Sequence, residues 1–324
     1  MNPENEDLQE MLPDGMAVVE SPIGFDPASL ASCEKCGRAN PPNRSACMYC
    51  GAAIGESAAI PSTDDELLES WQNGYNVVLS AGAESAAGGH ADAVRSALQR
   101  GSSVPVGRFA SESKAAAAIE ALERSGAGGQ VISDEELGAD RPPVRARSIR
   151  FVNDEVQVTD FNTGELRSFN KRDLRLIVSG VLFDDRTETF QKKTRTREAK
   201  AETTTSVYDR PVADIYFSGH DLGYRIMTAG FDFSSLGDSM SLIAGENLER
   251  LVRELAACGS GLRFDESYRD LRHHLEEIWP LEEHTDHLGK MHRTIDRKGK
   301  TTVASRSNSR QFTKYSRLQA RLSL

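Results

Sequence analysis

Four of the five cysteines, Cys33, Cys36, Cys47 and Cys50, stand within eighteen residues, and no other feature of the sequence restricts its fold as tightly. Each CxxC turn puts two sulfurs on one side, and four thiols suit one tetrahedral zinc ion with Zn–S near ~2.3 Å. Gly37 and Gly51 directly follow the second cysteine of each pair, where the turn needs a left-handed backbone. The leftover Cys258 makes the total odd, which argues against a disulfide framework, and no βαβ pattern surrounds either CxxC to support redox chemistry. Cys33, Cys36, Cys47 and Cys50 are therefore expected to hold one Zn2+. A unit this small has little apolar core and depends on the metal for its fold.

Residues 33–51 read CEKCGRANPPNRSACMYCG and resemble short bacterial zinc ribbons of the form CxxCGxxNPxxxxxCxxCG. The resemblance implies a folding or protein-contact module attached to unrelated domains. The segment is also similar to the Ran-binding-protein type of zinc finger, with Asn40 at the expected place between the knuckles. That family carries a tryptophan two residues before its first cysteine. Ala31 stands there in this chain, so RNA stacking is not carried over.

At 324 residues the chain is long enough for two or three domains. Its hydrophobic fraction is 38% against a typical ~45–50%, so part of it is not expected to pack. Charge is segregated: residues 1–32 hold seven acids and no Lys or Arg, whereas 283–324 hold ten bases and three acids. Both ends are expected to be disordered, as an acidic arm and a basic tail. No run of ~18 apolar residues predicts a membrane span, and the acidic start lacks the basic region of a secretory signal. A cytoplasmic protein is the expectation.

From 64 to 138 the pattern is a small α/β domain. An acidic helix is predicted over Asp64–Trp71, strand signals lie at 76–79, 104–106 and 129–132, and Ala91, Val94, Ala97 and Leu98 share a helical face. Ser111 or Ser113 can cap a second helix carrying Ala115, Ala118, Ile119 and Leu122. Residues 76–137, above all VPVGRFASESKAAAAIEALERSGAGGQV, resemble the C-terminal domain of the bacterial ribosomal stalk protein. That family contacts translation factors through a lysine-rich first helix, which AGAESAAGG replaces here, so the function is not transferred. The same Gly-rich run lacks the Lys-Ser/Thr ending of a phosphate loop.

From 145 to 280 short strand signals recur at 148–152, 155–160, 165–169, 174–183, 212–218, 224–228 and 230–233, separated by turns such as Asn153-Asp154 and Asn162-Thr163-Gly164. Residues 184–207, with Lys192, Lys193, Arg195, Arg197 and Lys200 diluted by acids, read as a long exposed loop. A helix follows over 239–257 with Leu248, Leu251, Val252 and Leu255 on one face, then a second over 266–279 with Tyr268, Leu271, Leu275 and Ile278. Strands closed by a helix over 145–258 resemble a bacterial pleckstrin-homology-like barrel, which implies binding of phosphoinositides, peptides or partner domains. No basic signature for inositol phosphates accompanies it.

Catalytic patterns are poor. His284-Thr-Asp-His287 has no spacing that fixes an open metal position, and His273, His274 and His292 read as surface residues. His220-Asp221 sits in a turn that needs polar residues anyway, and Ser234 and Ser235 lack a nucleophile elbow. Cys258, at a helix C-terminus where a thiolate is disfavoured, reads as a packed core residue. The expected fold is α+β and multidomain: a zinc ribbon over 33–54, a small α/β module, and a mainly antiparallel β barrel with C-terminal helices. The expected function is a zinc-binding adaptor or scaffold without catalytic activity. The alternative is a nucleic-acid-binding accessory protein that uses the ribbon and the basic tail.

Overall fold

The computed structural model describes residues 31–32, 38–40, 68–81, 92–124, 126, 128–192, 200–220, 222–259, 261–288 and 299–323. The chain divides into two compact units, Met1–Ser57 and Ala58–Leu324. In the first, β1 (Ala31–Ser32) and β2 (Ala39–Asn40) pair antiparallel, with Ala31 opposite Asn40. Asn40 is buried and donates Nδ2 to the Arg38 carbonyl at 2.8 Å. The four cysteines lie outside the described residues.

The second unit opens with a three-stranded antiparallel sheet in the order β4 (Val104–Phe109), β3 (Tyr75–Leu79), β5 (Gly129–Ser133). Helices α1 (Asp92–Gln99) and α2 (Glu112–Arg124) bury the small apolar faces that their spacing predicts, Val94, Ala97 and Leu98 in one and Ala115, Ala118 and Leu122 in the other. A single helical turn, α3 (Asp134–Leu137), follows, closed at its start by a reciprocal capping box between Ser133 and Glu136. The helix expected over 64–71 is not found in its described part: residues 68–71 form coil and turn.

Among the described residues a nine-stranded sheet curls into a half-barrel. Its path runs β13 (Glu282–Leu288), β14 (Gly299–Ser307), β9 (Leu174–Lys192), β10 (Lys200–Phe217), β11 (Tyr224–Met227), β6 (Val144–Val152), β7 (Glu155–Asp160) and β8 (Leu166–Asn170), with β12 (Arg263–Asp265) paired to β9. The β6–β7 turn places Asn153 at φ 52°, a conformation asparagine tolerates better than most side chains. The signal at 230–233 yields one isolated bridge, Ser148 to Asp232, in place of a strand. Helices α4 (Ala244–Ala256) and α5 (Tyr268–Ile278) bury the residues their periodicity marks.

Three expectations are corrected. Residues 184–192 and 200–207 are strand rather than exposed loop, while 193–199, with Lys193, Arg195 and Arg197, lie outside the described residues: β9 and β10 continue in register from Leu176/Tyr216 up to Lys192/Lys200, with Thr187 opposite Thr205 and Thr189 opposite Thr203. Threonines and charges on both faces hide the period-2 signal, because neither face of this arm meets a core. The described parts of the basic tail, 283–288 and 299–323, are not disordered either. They supply β13, β14 and α6 (Ser309–Ser323), and Phe312, Tyr315 and Leu318 are fully buried. Finally, 64–138 and 145–280 are not separate domains. Leu79, Leu98 and Leu122 share one core with Leu176 and Tyr216 of the large sheet and with Trp279, Phe312 and Tyr315. The opposite face of the large sheet, with Ile177, Ile215 and Phe217, packs on Leu248, Leu251 and Leu255 of α4.

Candidate interaction site

Four described bases of the tail find counter-charges within the same unit. Positions 310, 314, 317 and 321 form one stripe of α6, and this stripe faces the acidic segment around α3. Arg310 pairs with Asp140 at 2.7 Å, Lys314 Nζ with Asp134 at 2.9 Å, Arg321 with Glu136, and Arg317 donates to the Arg141 carbonyl at 2.5 Å. Most side chains of α6 outside this stripe are also buried and carry their own partners. Gln319 bonds both backbone groups of Ser103, Tyr315 donates to Asp265 at 2.9 Å, and Tyr216 meets Ser316 at 2.7 Å. Beneath the helix Arg225 holds Asp214 with two bonds of 2.8 Å and reaches Thr313 at 3.1 Å.

Asp134 is the centre of this seat. It accepts from the backbone amide of Gly74, from Asn76 Nδ2 and from two nitrogens of Arg108, besides pairing with Lys314. Burial alone would raise its carboxyl, but Lys314 and Arg108 outweigh that and hold it below the usual range. Burial pushes Lys314 down to about 8, partly offset by Asp134, with Arg108 and Arg310 adding like-charge repulsion; the Trp279 ring lies 5.8 Å from Nζ.

A lysine whose folded pKa is depressed opposes folding while it must stay charged. Between about 8 and the unfolded value of ~10.4 the unfolded chain binds more protons, so stability rises with pH in that window. The difference in urea stability between the wild type and Lys314→Met is therefore expected to move in favour of the wild type from pH 8 upward, by at most ~1.4 kcal/mol per pH unit. A flat difference would mean that Lys314 titrates normally.

These perturbed groups are sealed under α6, whereas an accessible concavity lies on the other face of the sheet. Strand β9 changes neighbours along its length: β12 pairs with Leu176–Val178 and β14 begins opposite Asp184. Between them Asn308 stands in for a strand, giving Nδ2 to the Val181 carbonyl and accepting from the Phe183 amide, both at 2.9 Å. Gly180 is required in this gap, because a Cβ there would lie 2.6 Å from the Phe312 ring and 2.9 Å from that of Tyr268. On the α4 side the gap opens into a groove of about 410 Å³. Val181, Pro211, Leu248, Val252 and Phe264 give it apolar walls, and Glu249, Arg253, Glu266 and Arg269 stand around it.

At the Pro211 end lies the loop before α4. Pro211 Cγ is within 3.8 Å of where a Cβ on Gly245 would sit, two residues beyond Ile243. Met240, Leu242 and Ile243 are 55%, 106% and 59% exposed, yet the loop is held firmly. Buried Asn247 accepts from the Ser241 amide at 2.6 Å and donates to its carbonyl at 2.8 Å, and Ser241 Oγ accepts from the Ile243 amide. The sequence reading placed these residues inside the helix. The available signal was that Leu242 and Ile243 fall outside the stripe set by Leu248, Leu251 and Leu255.

The other singled-out residues do not converge. His284 bonds Asp286 along exposed β13, at 3.0 Å, and the side chain of His287 lies outside the described residues. His273 is exposed, and His274 meets the Pro105 carbonyl, with burial pushing its imidazole down. His220 packs edge-on against Phe169 at 4.9 Å, while Asp221 and His292 lie outside the described residues. Ser234 sits in a short 3-10 turn, its amide bonded to Asp232. Cys258 is half-buried rather than in the core, with its thiol pushed up by burial. Among the described residues no group of three or more His, Cys, Asp or Glu is placed to hold a metal, and no helix is long and apolar enough to cross a membrane. Compared with protein-family models, characterised proteins and solved structures, the chain matches none.

Proposed function

We propose that this chain is a cytoplasmic, zinc-binding adaptor without catalytic activity, and that it docks another polypeptide on the α4 groove and the adjoining Met240–Ile243 loop. The observation that carries this reading is the loop itself. Three apolar side chains are held out into water by hydrogen bonds to a buried asparagine, and an ordered exposed apolar patch beside a cavity marks a contact surface. The groove walls are apolar with exposed charges around them, while Asp134, Asp214, Asp265 and Lys314 are committed to packing under α6. That separation favours binding over chemistry. A photo-crosslinking residue at position 242 should trap a polypeptide in the native host, whereas the same residue at Lys114, on α2, should not. Equal yields at the two positions would remove the site.

The first unit adds the zinc module. The hairpin β1–β2 brackets Cys33 and Cys36, which fits a CxxC knuckle at its tip, and four thiols are the donor set zinc prefers. Cys33, Cys36, Cys47 and Cys50 would hold the ion as a structural crosslink. Purified, reduced protein is expected to carry about one zinc per chain, and Cys33→Ser/Cys36→Ser to carry almost none. Metal analysis that finds the wild type largely zinc-free would exclude the module.

Four of the ten bases of the basic segment, Arg306, Arg310, Lys314 and Arg321, each face a carboxylate of the same unit, which weighs against the nucleic-acid reading. Tight, steeply salt-dependent binding of RNA or DNA would revive it.

A further inference from the structure

If the groove is a docking surface, as proposed above, its own geometry narrows the occupant, and we infer that it is a second copy of this chain. The knob and the hole belong to one face. Leu242 and Ile243 project immediately beyond the Pro211 end of the groove whose far wall carries half-exposed Phe264. A two-fold axis between them would place the loop of each copy in the groove of the other, the reciprocal arrangement an isologous dimer requires.

Charge selects the same partner. The whole chain carries a formal net charge of -10, so two copies repel over most orientations. Around the groove the formal charges cancel, with Glu249 and Glu266 against Arg253 and Arg269. Glu249 and Arg253 pair at 3.3 Å on exposed helix, and Glu266 and Arg269 make no ion pair among the described residues. Each copy thus offers an unpaired acid and an unpaired base to its mate, which favours this face over the acidic remainder.

Sedimentation of the full-length, zinc-loaded, reduced protein between ~1 and ~100 µM tests this, the range in which a small interface of micromolar affinity is half-formed. The wild type should show a monomer–dimer equilibrium, and Leu242→Asp and Phe264→Asp should each weaken it at least tenfold. Leu242 makes no packing contact to lose within the chain, so at concentrations where both proteins are monomeric its thermal midpoint should equal the wild type's. A mixture of the two variants should dimerise more tightly than either alone, since one intact knob then meets one intact groove. A wild type that stays monomeric to ~100 µM, or a Leu242→Asp protein that dimerises as well as the wild type, overturns the second copy as occupant. If in that case the crosslinker at 242 traps a different protein in cells, the docking surface stands with another partner. If it traps nothing, the docking surface falls too.

Discussion

A chain ended at Ser307 is expected not to fold. Helix α6 brings Phe312, Tyr315 and Leu318 into the shared core with no exposure, and each such side chain contributes ~1.5–3 kcal/mol of burial. Those three terms alone reach roughly 5–9 kcal/mol, against a total stability of about 5–15 kcal/mol for a typical domain. Truncation also strips partners from groups that stay buried. Asp265 loses Tyr315, Arg225 loses Thr313, and the backbone of Ser103 loses Gln319. The loss is not confined to the tail, because α6 shares its core with side chains of both the three-stranded sheet and the half-barrel. Proteolysis and heteronuclear NMR should show the truncated chain degraded rapidly and without dispersed resonances. A truncated chain that unfolds cooperatively near the wild-type midpoint would show that the two sheets hold each other without the helix.

Why the sequence conceals this helix is a question of partners. Its apolar positions 312, 315, 318 and 322 do recur at helical spacing, but the intervening Gln311, Thr313, Lys314, Ser316 and Gln319 are also buried. A binary pattern assigns such residues to solvent. They are tolerated inside only because Ser103, Asp134, Trp279, Arg225 and Tyr216 wait at distant points of the chain, and those partnerships are set by the tertiary fold. The reverse holds for α4 and α5. Leu248, Leu251 and Leu255, and likewise Tyr268, Leu271 and Leu275, are buried by local periodicity alone, and the sequence marks both faces residue by residue. The strands β6, β7 and β8 were legible from the turns at Asn153 and Gly164, whose positive φ angles of 52° and 72° their residue types permit. The groove was not legible, since it arises where β9 passes from β12 to β14 and neither neighbour announces its register. The proposed knob was legible in principle, as two apolar residues, Leu242 and Ile243, off the helical stripe.

The second large effect concerns the carboxylate beneath the helix. Asp134→Ala should cost about 3–5 kcal/mol, because Arg108 and Lys314 would remain buried with no counter-charge between them. For a unit of this size that corresponds to a fall in Tm of roughly 6–20 °C. Lys314→Met should behave quite differently. The Arg108–Asp134 pair survives it, with Gly74 and Asn76 still donating to the carboxylate, and a flexible apolar chain of similar length fills the lysine's path past Trp279. Removing a buried ammonium that burial has already pushed down to about 8 relieves a desolvation penalty, so this variant should be neutral to slightly stabilised at pH 7. The double variant should then recover part of the Asp134→Ala loss, since one of the two stranded cations is gone; the interaction energy in a double-mutant cycle reads that recovery directly. Equal destabilisation by Asp134→Ala and Lys314→Met would mean that the pair acts as a single bond of ordinary strength. The asymmetry expected here instead makes Asp134 the anchor that two cations share.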